Sequence, residues 1–328
     1  MNRTIRAQKE NNMISQPTPQ DYNELTLLWE ASVCSTHHFL TEENIQYYKP
    51  LVREQYLPAV NLYIIRREDN QIVAFMGLSD ELIEMLFVHP DAQGKGYGKQ
   101  LIDFAINKKQ ITKVDVNEQN EKALLFYLKR GFDVIGRDTT DPSGKPFPIL
   151  HMEITAPFVN QLSKRFHIED IHSLIYQIKY NSSRKEELYQ LIFDKDNYTS
   201  YQALWTCSHF PPSERKWLES KQEELIDEVL HCPHSGKRRI LLQLLEKQSF
   251  KDTTRVDFLD FCLNHMFSKQ EPPGIQSLCI KLAYKLCQPI PELLQEFWMM
   301  IEMAKEEQGS AAVKSVIRNL SKKKKQKE

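Results

Sequence analysis

Hydrophobic positions recur along this chain in two rhythms, and the change between them near residue 160 divides it. In the first part, short apolar runs of strand type trade places with runs of helical spacing. "MISQP" predicts a short strand, and "PQDYNELTLLWEASV" sets Leu25, Leu28, Trp29 and Val33 on one helical face after an Asp-containing start. "LYIIRREDNQIVAFMGLS" is two β-rich runs around Glu68 to Gln71, the pattern of a hairpin. "IEMLFVHP" predicts a strand, "GKGYGKQLIDFAINK" a helix, "KVDVN" a strand and "NEKALLFYLKR" a helix; "FDVIGR" and "FPILHMEI" close the series as strands. Antiparallel strands followed by an alternation of strand and helix predict a mixed α/β sheet.

From His167 the strand rhythm stops and helical segments follow one another, among them "DIHSLIYQIKY", "KEELYQLIFD", "KQEELIDEVLHC" and "VDFLDFCLNHMF". Helix starts at Gly236, Gly274 and Gly309, each separated from the next by one further helix, give a period of roughly 35 to 40 residues, the signature of an α-solenoid. The expected organisation is a flexible extension (1–12), an α/β domain (13–154), a linker (155–166), a helical-repeat domain (167–322) and a basic disordered tail (323–328).

Composition narrows the function classes. Forty-three Lys and Arg against forty-four Asp and Glu leave a net charge of -1, so the electrostatic footprint of a general nucleic-acid binder is missing. No apolar stretch reaches the length needed to cross a bilayer and the N-terminus is polar, which reads as a cytoplasmic chain without membrane partners. The six cysteines are scattered and read as reduced, mostly buried thiols. Cys207, His209, His231, Cys232 and His234 have ligand chemistry but no CxxC pair, and no metal is expected.

Only ten glycines occur, and three of them stand at 94, 96 and 98 in "HPDAQGKGYGKQLI", between a predicted strand and a predicted helix. Such a turn presents unpaired N–H groups and the positive end of the helix dipole, which together hold phosphate. A Walker loop would need a hydroxyl where Gln100 stands, and the dinucleotide fingerprint would need a glycine where Lys99 stands, so the nucleotide readings weaken.

Gln93-Gly94-Lys95-Gly96-Tyr97-Gly98 after "LFVHP" resembles the acetyl-coenzyme A loop of the GCN5-related N-acetyltransferase (GNAT) superfamily. "VDVNEQNEKALLFYLKRGF" resembles that family's later strand and helix, with Asn120, Ala123, Phe126-Tyr127 and Gly131-Phe132 in order. Within the superfamily, "THHFL", "FVHPDAQGKGYG", "VDVNEQN" and "PFPILHM" resemble the small bacterial acetyltransferases of the YjaB type. The likeness covers residues 13 to 154. It implies a GNAT fold, a mixed and mostly antiparallel sheet flanked by helices, with acetyl-CoA as co-substrate and no metal. "ALWTCSHF", "EELIDEVLHCPHSGKRRILLQLLEK" and "SLCIKLAYKLCQ" resemble bacterial HEAT-like repeats, implying an all-α solenoid that offers a surface to a protein partner.

By that resemblance, Phe87 and Val88 lie along the pantetheine arm, Gln93, Gly94, Lys95, Gly96, Tyr97, Gly98 and Lys99 surround the diphosphate, and Asn120 contacts the arm or caps its helix. Tyr127 falls where many members carry the acid that protonates the coenzyme A thiolate, a task suited to a phenol of ordinary pKa about 10. Glu84 is the expected base; by period-two alternation it shares a face with Leu86 and Val88, turned either to the cleft or to solvent. His37, His38 and His151 are expected to meet at the acceptor side, with Trp29 as a wall. The expected activity is transfer of the acetyl group directly to a primary amine of a small molecule or protein, with the helical repeats docking a partner or substrate. The same residues also fit a non-catalytic acyl-CoA sensor on a HEAT-like scaffold.

Overall fold

The computed structural model describes residues 14–250, 255–304 and 310–325. The expected extension 1–12, the helix start at Gly309 and residues 326–328 of the expected tail lie outside these. The chain forms two compact units, Met1–Ala156 and Pro157–Glu328.

The first unit is built on β1 (Ile14–Ser15), α1 (Tyr22–Thr36), α2 (Glu42–Leu51), β2 (Asn61–Arg66), β3 (Ile72–Leu78), β4 (Leu82–Val88), α3 (Tyr97–Phe104), β5 (Lys113–Asn117), α4 (Glu121–Leu128), β6 (Phe132–Asp138) and β7 (Ile149–Ile154). Its seven strands are ordered β1-β2-β3-β4-β5-β7-β6. All neighbours run antiparallel except β4 and β5. β3 is buried at every position because helices cover both of its faces: α1 packs on β3 and β4 from one side, α3 from the other. Leu25, Leu28, Trp29 and Val33 of α1 join Ile64, Ile72 and Phe75 in one core, so the predicted amphipathic face is the packed one.

Two features of β4 matter for the site. Gly77 pairs with Met85 but Leu78 pairs with Ile83, so Glu84 is the extra residue of a β-bulge. The parallel ladder to β5 holds at Leu82–Lys113 and Ile83–Val114 and goes no further. Beyond the bulge the two strands therefore part, leaving a fork between Glu84–Val88 and Asp115–Asn117.

The second unit is all helical among its described residues: α5 (Phe158–Leu162), α6 (Ile168–Tyr180), α7 (Ser182–Gln190), α8 (Asn197–Ser208), α9 (Pro212–Glu219), α10 (Gln222–His231), α11 (Ser235–Glu246), α12 (Val256–His265), α13 (Pro273–Cys287), α14 (Pro291–Ala304) and α15 (Ala311–Lys325). α11 packs on α8 and α13, and α13 packs on α15, so α8, α11, α13 and α15 stack in a row as expected of a solenoid. The stretch expected as a linker carries α5, whose Phe158 and Leu162 are fully buried in this unit's core. Lys323 to Lys325, expected in a disordered tail, continue α15. Lysine is a good helix former, and Val313, Ile317 and Leu320 anchor the turns before it.

Candidate active site

The fork is flanked by the N-terminal ends of α3 and α4. Gly94 and Gly96 adopt φ of 75° and 91°, a backbone that disfavours any residue with a side chain, and a Cβ at either would have nothing within 4 Å. Open space surrounds both positions, and the first N–H groups of α3 that follow have no acceptor within the helix. Gly98 differs: a Cβ there would touch Phe126 of α4 at 3.5 Å and Val88 of β4 at 3.6 Å, so the loop, the strand and α4 close together at that point. Gln93 donates to the Val88 carbonyl at 3.4 Å and Lys95 to the Asp91 carbonyl at 2.7 Å, which brace the turn. Lys99 and the loop itself are exposed.

Asn120 is the N-cap of α4. Its Oδ1 accepts from the Ala123 N–H at 3.2 Å, and its Nδ2 lies 3.5 Å from His37 Nε2. Tyr127, about two turns further on, is 5% exposed, with its ring edge-on to Phe126 and Phe132. Burial raises its phenol above the usual tyrosine range, so it keeps its proton at any physiological pH. Glu84 sits exposed where the two strands begin to part. Because it is the bulged residue, the regular alternation expected through Glu84, Leu86 and Val88 is broken there.

The register shows which face of the sheet each group shares. Met85 and Phe87 join the core under α1, whereas Ile83, across the bulge, turns to the other face together with Val114. Lys113, Asp115 and Asn117 therefore lie on the α1 side of β5, and His151, paired with both Asp115 and Gly136, lies there too. This part of the sheet packs on α4 from the opposite side. His151 Nδ1 is 2.8 Å from Asp115 Oδ1 and its Nε2 is 3.2 Å from Asp138 Oδ2. Burial pulls the imidazole pKa down, but the hydrogen bonds and charges of Asp115 and Asp138 outweigh it and the net shift is upward. The β6–β7 loop bounds this face: Tyr48 donates to Asp141 at 2.7 Å, Lys145 to Asn44 at 3.0 Å, and Phe147 meets Phe39 at 5.7 Å between ring centroids.

His37 caps the end of α1, with its ring 6.4 Å from that of Phe87 and 5.3 Å from that of Phe39. The structure thus brings His37, Phe87 and Asn120 together over the fork. It does not bring His37, His38 and His151 into contact: His38 is exposed, and the partners of His151 are the two aspartates. Trp29, expected as an acceptor wall, is 6% exposed and packs in the α1 core. Sequence reasoning did not assign Asp115, Asp138 or Phe39 to the acceptor face; Phe39 was visible as part of "THHFL", whereas the two aspartates reach His151 only through strand pairing.

A strand fork beside a glycine turn, with a capped second helix, defines an acetyltransferase of the GNAT type. Residues 59–134 match the model of an acetyltransferase (GNAT) domain and residues 158–324 that of a HEAT repeat domain. Peptidyl-lysine N-acetyltransferase YjaB of Escherichia coli (strain K12) is 40% identical over 133 residues, spanning 40% of this chain and 90% of the enzyme. Its namesake in Salmonella typhimurium is 36% identical over 133 residues, spanning 40% and 91%. The solution structure of apo-form YjaB from Escherichia coli aligns with a TM-score of 0.41 at 38% identity, covering 44% of this chain and 97% of that one. The chain belongs to the GNAT acetyltransferase family, and its C-terminal half to the HEAT repeat family. It is an N-acetyltransferase, which decides against the purely sensory reading. Among the described residues no helix is long and apolar enough to cross a membrane.

Proposed function

We propose that this protein acetylates lysine side chains of a protein acceptor, drawing on acetyl-CoA bound at the fork. The observation that carries the reading is the parting of β4 and β5 beside a glycine turn with room for a polyanion. Gln93 to Lys99 would hold the diphosphate, with Phe87, Val88 and Asn120 along the pantetheine arm. Acetyl-CoA supplies an activated acyl group, so the protein's own work is to position, polarise and move protons. Tyr127 holds a proton at its phenol oxygen for the departing sulfur, and Glu84 Oε takes the proton that a lysine ammonium must lose.

Two features support a lysine acceptor. Two relatives, 40% and 36% identical, bear the name peptidyl-lysine N-acetyltransferase, and the face beside the fork carries Asp115 and Asp138, suited to a cationic approach. The HEAT repeats would dock the protein that bears the lysine. The test is incubation of the full chain with acetyl-CoA and lysine-bearing peptides, following thiol release and acetyl-lysine by mass spectrometry. Thiol release with small polyamines but never with peptides would overturn the acceptor assignment.

A further inference from the structure

We propose that His37 binds the acceptor amine: its Nε2 lone pair takes one N–H of the neutral amine and so aims the nitrogen lone pair into the fork. The proposal rests on the acetyl-transfer reading above and adds to it the group that orients the nucleophile.

The hydrogen bonds around His37 form a chain whose polarity is fixed at both ends. The Ala123 N–H needs an acceptor and finds Asn120 Oδ1 at 3.2 Å, so the amide nitrogen of Asn120 is the end that faces His37. An amide nitrogen only donates, which requires a lone pair at His37 Nε2. The ring proton then sits on Nδ1, 2.8 Å from Thr36 Oγ1. Thr36 can accept it because its own proton goes to the Ser32 carbonyl, also at 2.8 Å. Every link is consistent with one neutral tautomer, and an imidazolium would set an N–H against the N–H of Asn120. Burial, with the charge of His38 second, lowers the His37 pKa to about 4, in keeping with that arrangement.

Two further observations point this lone pair at substrate. The Asn120 contact, at 3.5 Å, is long for a hydrogen bond, so an incoming N–H at ordinary distance displaces it readily. The ring is also held against Phe87, on the parted arm of β4, and against Phe39 of the α1–α2 corner. The groups facing it from other elements, Phe87 and Asn120, do not titrate, and His38 on its own loop is the neighbour that does. His37 therefore stays an acceptor across the working pH range. No bond is made or broken at His37, and the proton lost by the amine goes elsewhere.

The test has two arms on the full chain. In the first, the ring nitrogens of selectively 15N-labelled histidine are observed by NMR between pH 5 and 8. A protonated Nδ1 and bare Nε2 in the resonance lost from His37→Gln is expected; a protonated Nε2, or an imidazolium at pH 6, overturns the proposal. In the second, kinetics with a lysine peptide compare His37→Phe, which has no acceptor, with His37→Gln, whose Oε1 reaches the Nε2 position. Loss of one hydrogen bond raises the peptide KM about tenfold in the Phe variant. The KM for acetyl-CoA should stay at the wild-type value, and the Gln variant should recover most of the loss. Equal failure of both variants, or a shared rise in the acetyl-CoA KM, overturns the proposal. If His37→Phe does not fold, Thr36→Val serves instead, with a smaller rise in peptide KM expected and an unchanged KM overturning the idea. Should the wild type acetylate no lysine peptide, the lysine reading falls on its own. The kinetic arm is then run on whichever amine is acetylated, since the lone pair does not depend on what carries the nitrogen.

Discussion

Gly96→Glu and Gly96→Gln form a matched pair that isolates what the glycine turn is for. Both replacements force a side chain onto a backbone with φ of 91°, at a shared cost of about 1–2 kcal/mol in stability. Both also fill space in which a Cβ meets nothing within 4 Å. They differ by one charge. If a diphosphate rests on the amides in front of α3, the Glu carboxylate comes to within about 4 to 8 Å of it. At an effective dielectric near 20, that repulsion is about 2–4 kcal/mol per charge pair, or roughly a 30- to 1,000-fold weaker affinity than the Gln variant. Calorimetric titration with coenzyme A at low ionic strength reads the ratio directly. Repetition at about 0.5 M salt should shrink it, because the side chain is exposed and the interaction screened. Thermal melts of the two variants should coincide, showing that strain cancels. A ratio near one at low salt would refute the reasoning, since no polyanion could then lie at this turn.

Further predictions concern the proton-transfer groups, the acceptor face and the repeats. Tyr127→Phe should leave coenzyme affinity unchanged and lower kcat by about 100-fold or more if the phenol is the acid. With the Tyr127 pKa raised by burial, the wild-type rate should show no falling limb from this group up to pH 10. Glu84→Gln should lower kcat/KM for the amine by about 100-fold with acetyl-CoA binding intact, and unchanged kinetics would remove Glu84 as the base. The raised pKa of His151 means that its pairing with Asp115 and Asp138 contributes stability fully below pH 6.5 and loses it as pH climbs through the higher folded value. His151→Gln should therefore cost stability at pH 6 and little at pH 9, as read by denaturant midpoints. Leu241→Ala, at a fully buried position of α11 between α8 and α13, should destabilise the helical unit by about 2–5 kcal/mol in chemical denaturation.

Much of this fold was legible because local rules and packing agree. The α1 stripe of Leu25, Leu28, Trp29 and Val33 is the buried stripe, and the hairpin about Asn70, at φ of 69°, falls between the runs that predict it. The glycine turn could be found because Gly94 and Gly96 need positive φ in a glycine-poor chain. α9 escaped notice because Pro211 and Pro212 look like a break, yet proline suits the first turn of a helix, where its missing N–H costs nothing. α5 was read as a linker because one turn of helix has no period of its own, and Phe158 and Leu162 are fixed by packing from afar. The partners of His151 were illegible for a related reason: Asp115 and Asp138 reach it by strand pairing, which a single chain's pattern does not reveal.

The bulge at Glu84 explains why the site lies where it does. In a regular strand Ile83, Met85 and Phe87 would share one face. Here one extra residue lets Ile83 turn to the face away from α1 with Val114 while Met85 and Phe87 turn beneath α1. The ladder to β5 ends at the same place, because bulged strands twist and bend away from their partners. A single inserted residue thus opens the fork, sets Phe87 against His37, and leaves the Asp115 and His151 face on the His37 side of the sheet. Deletion of Glu84 would realign β4 with β3 and put Ile83 on the face of Phe87, against its packing with Val114. Loss of activity in that deletion should therefore come with loss of coenzyme binding and a lower melting temperature. Glu84→Gln, which keeps the extra residue, should retain both, and this contrast separates the bulge as architecture from Glu84 as a base.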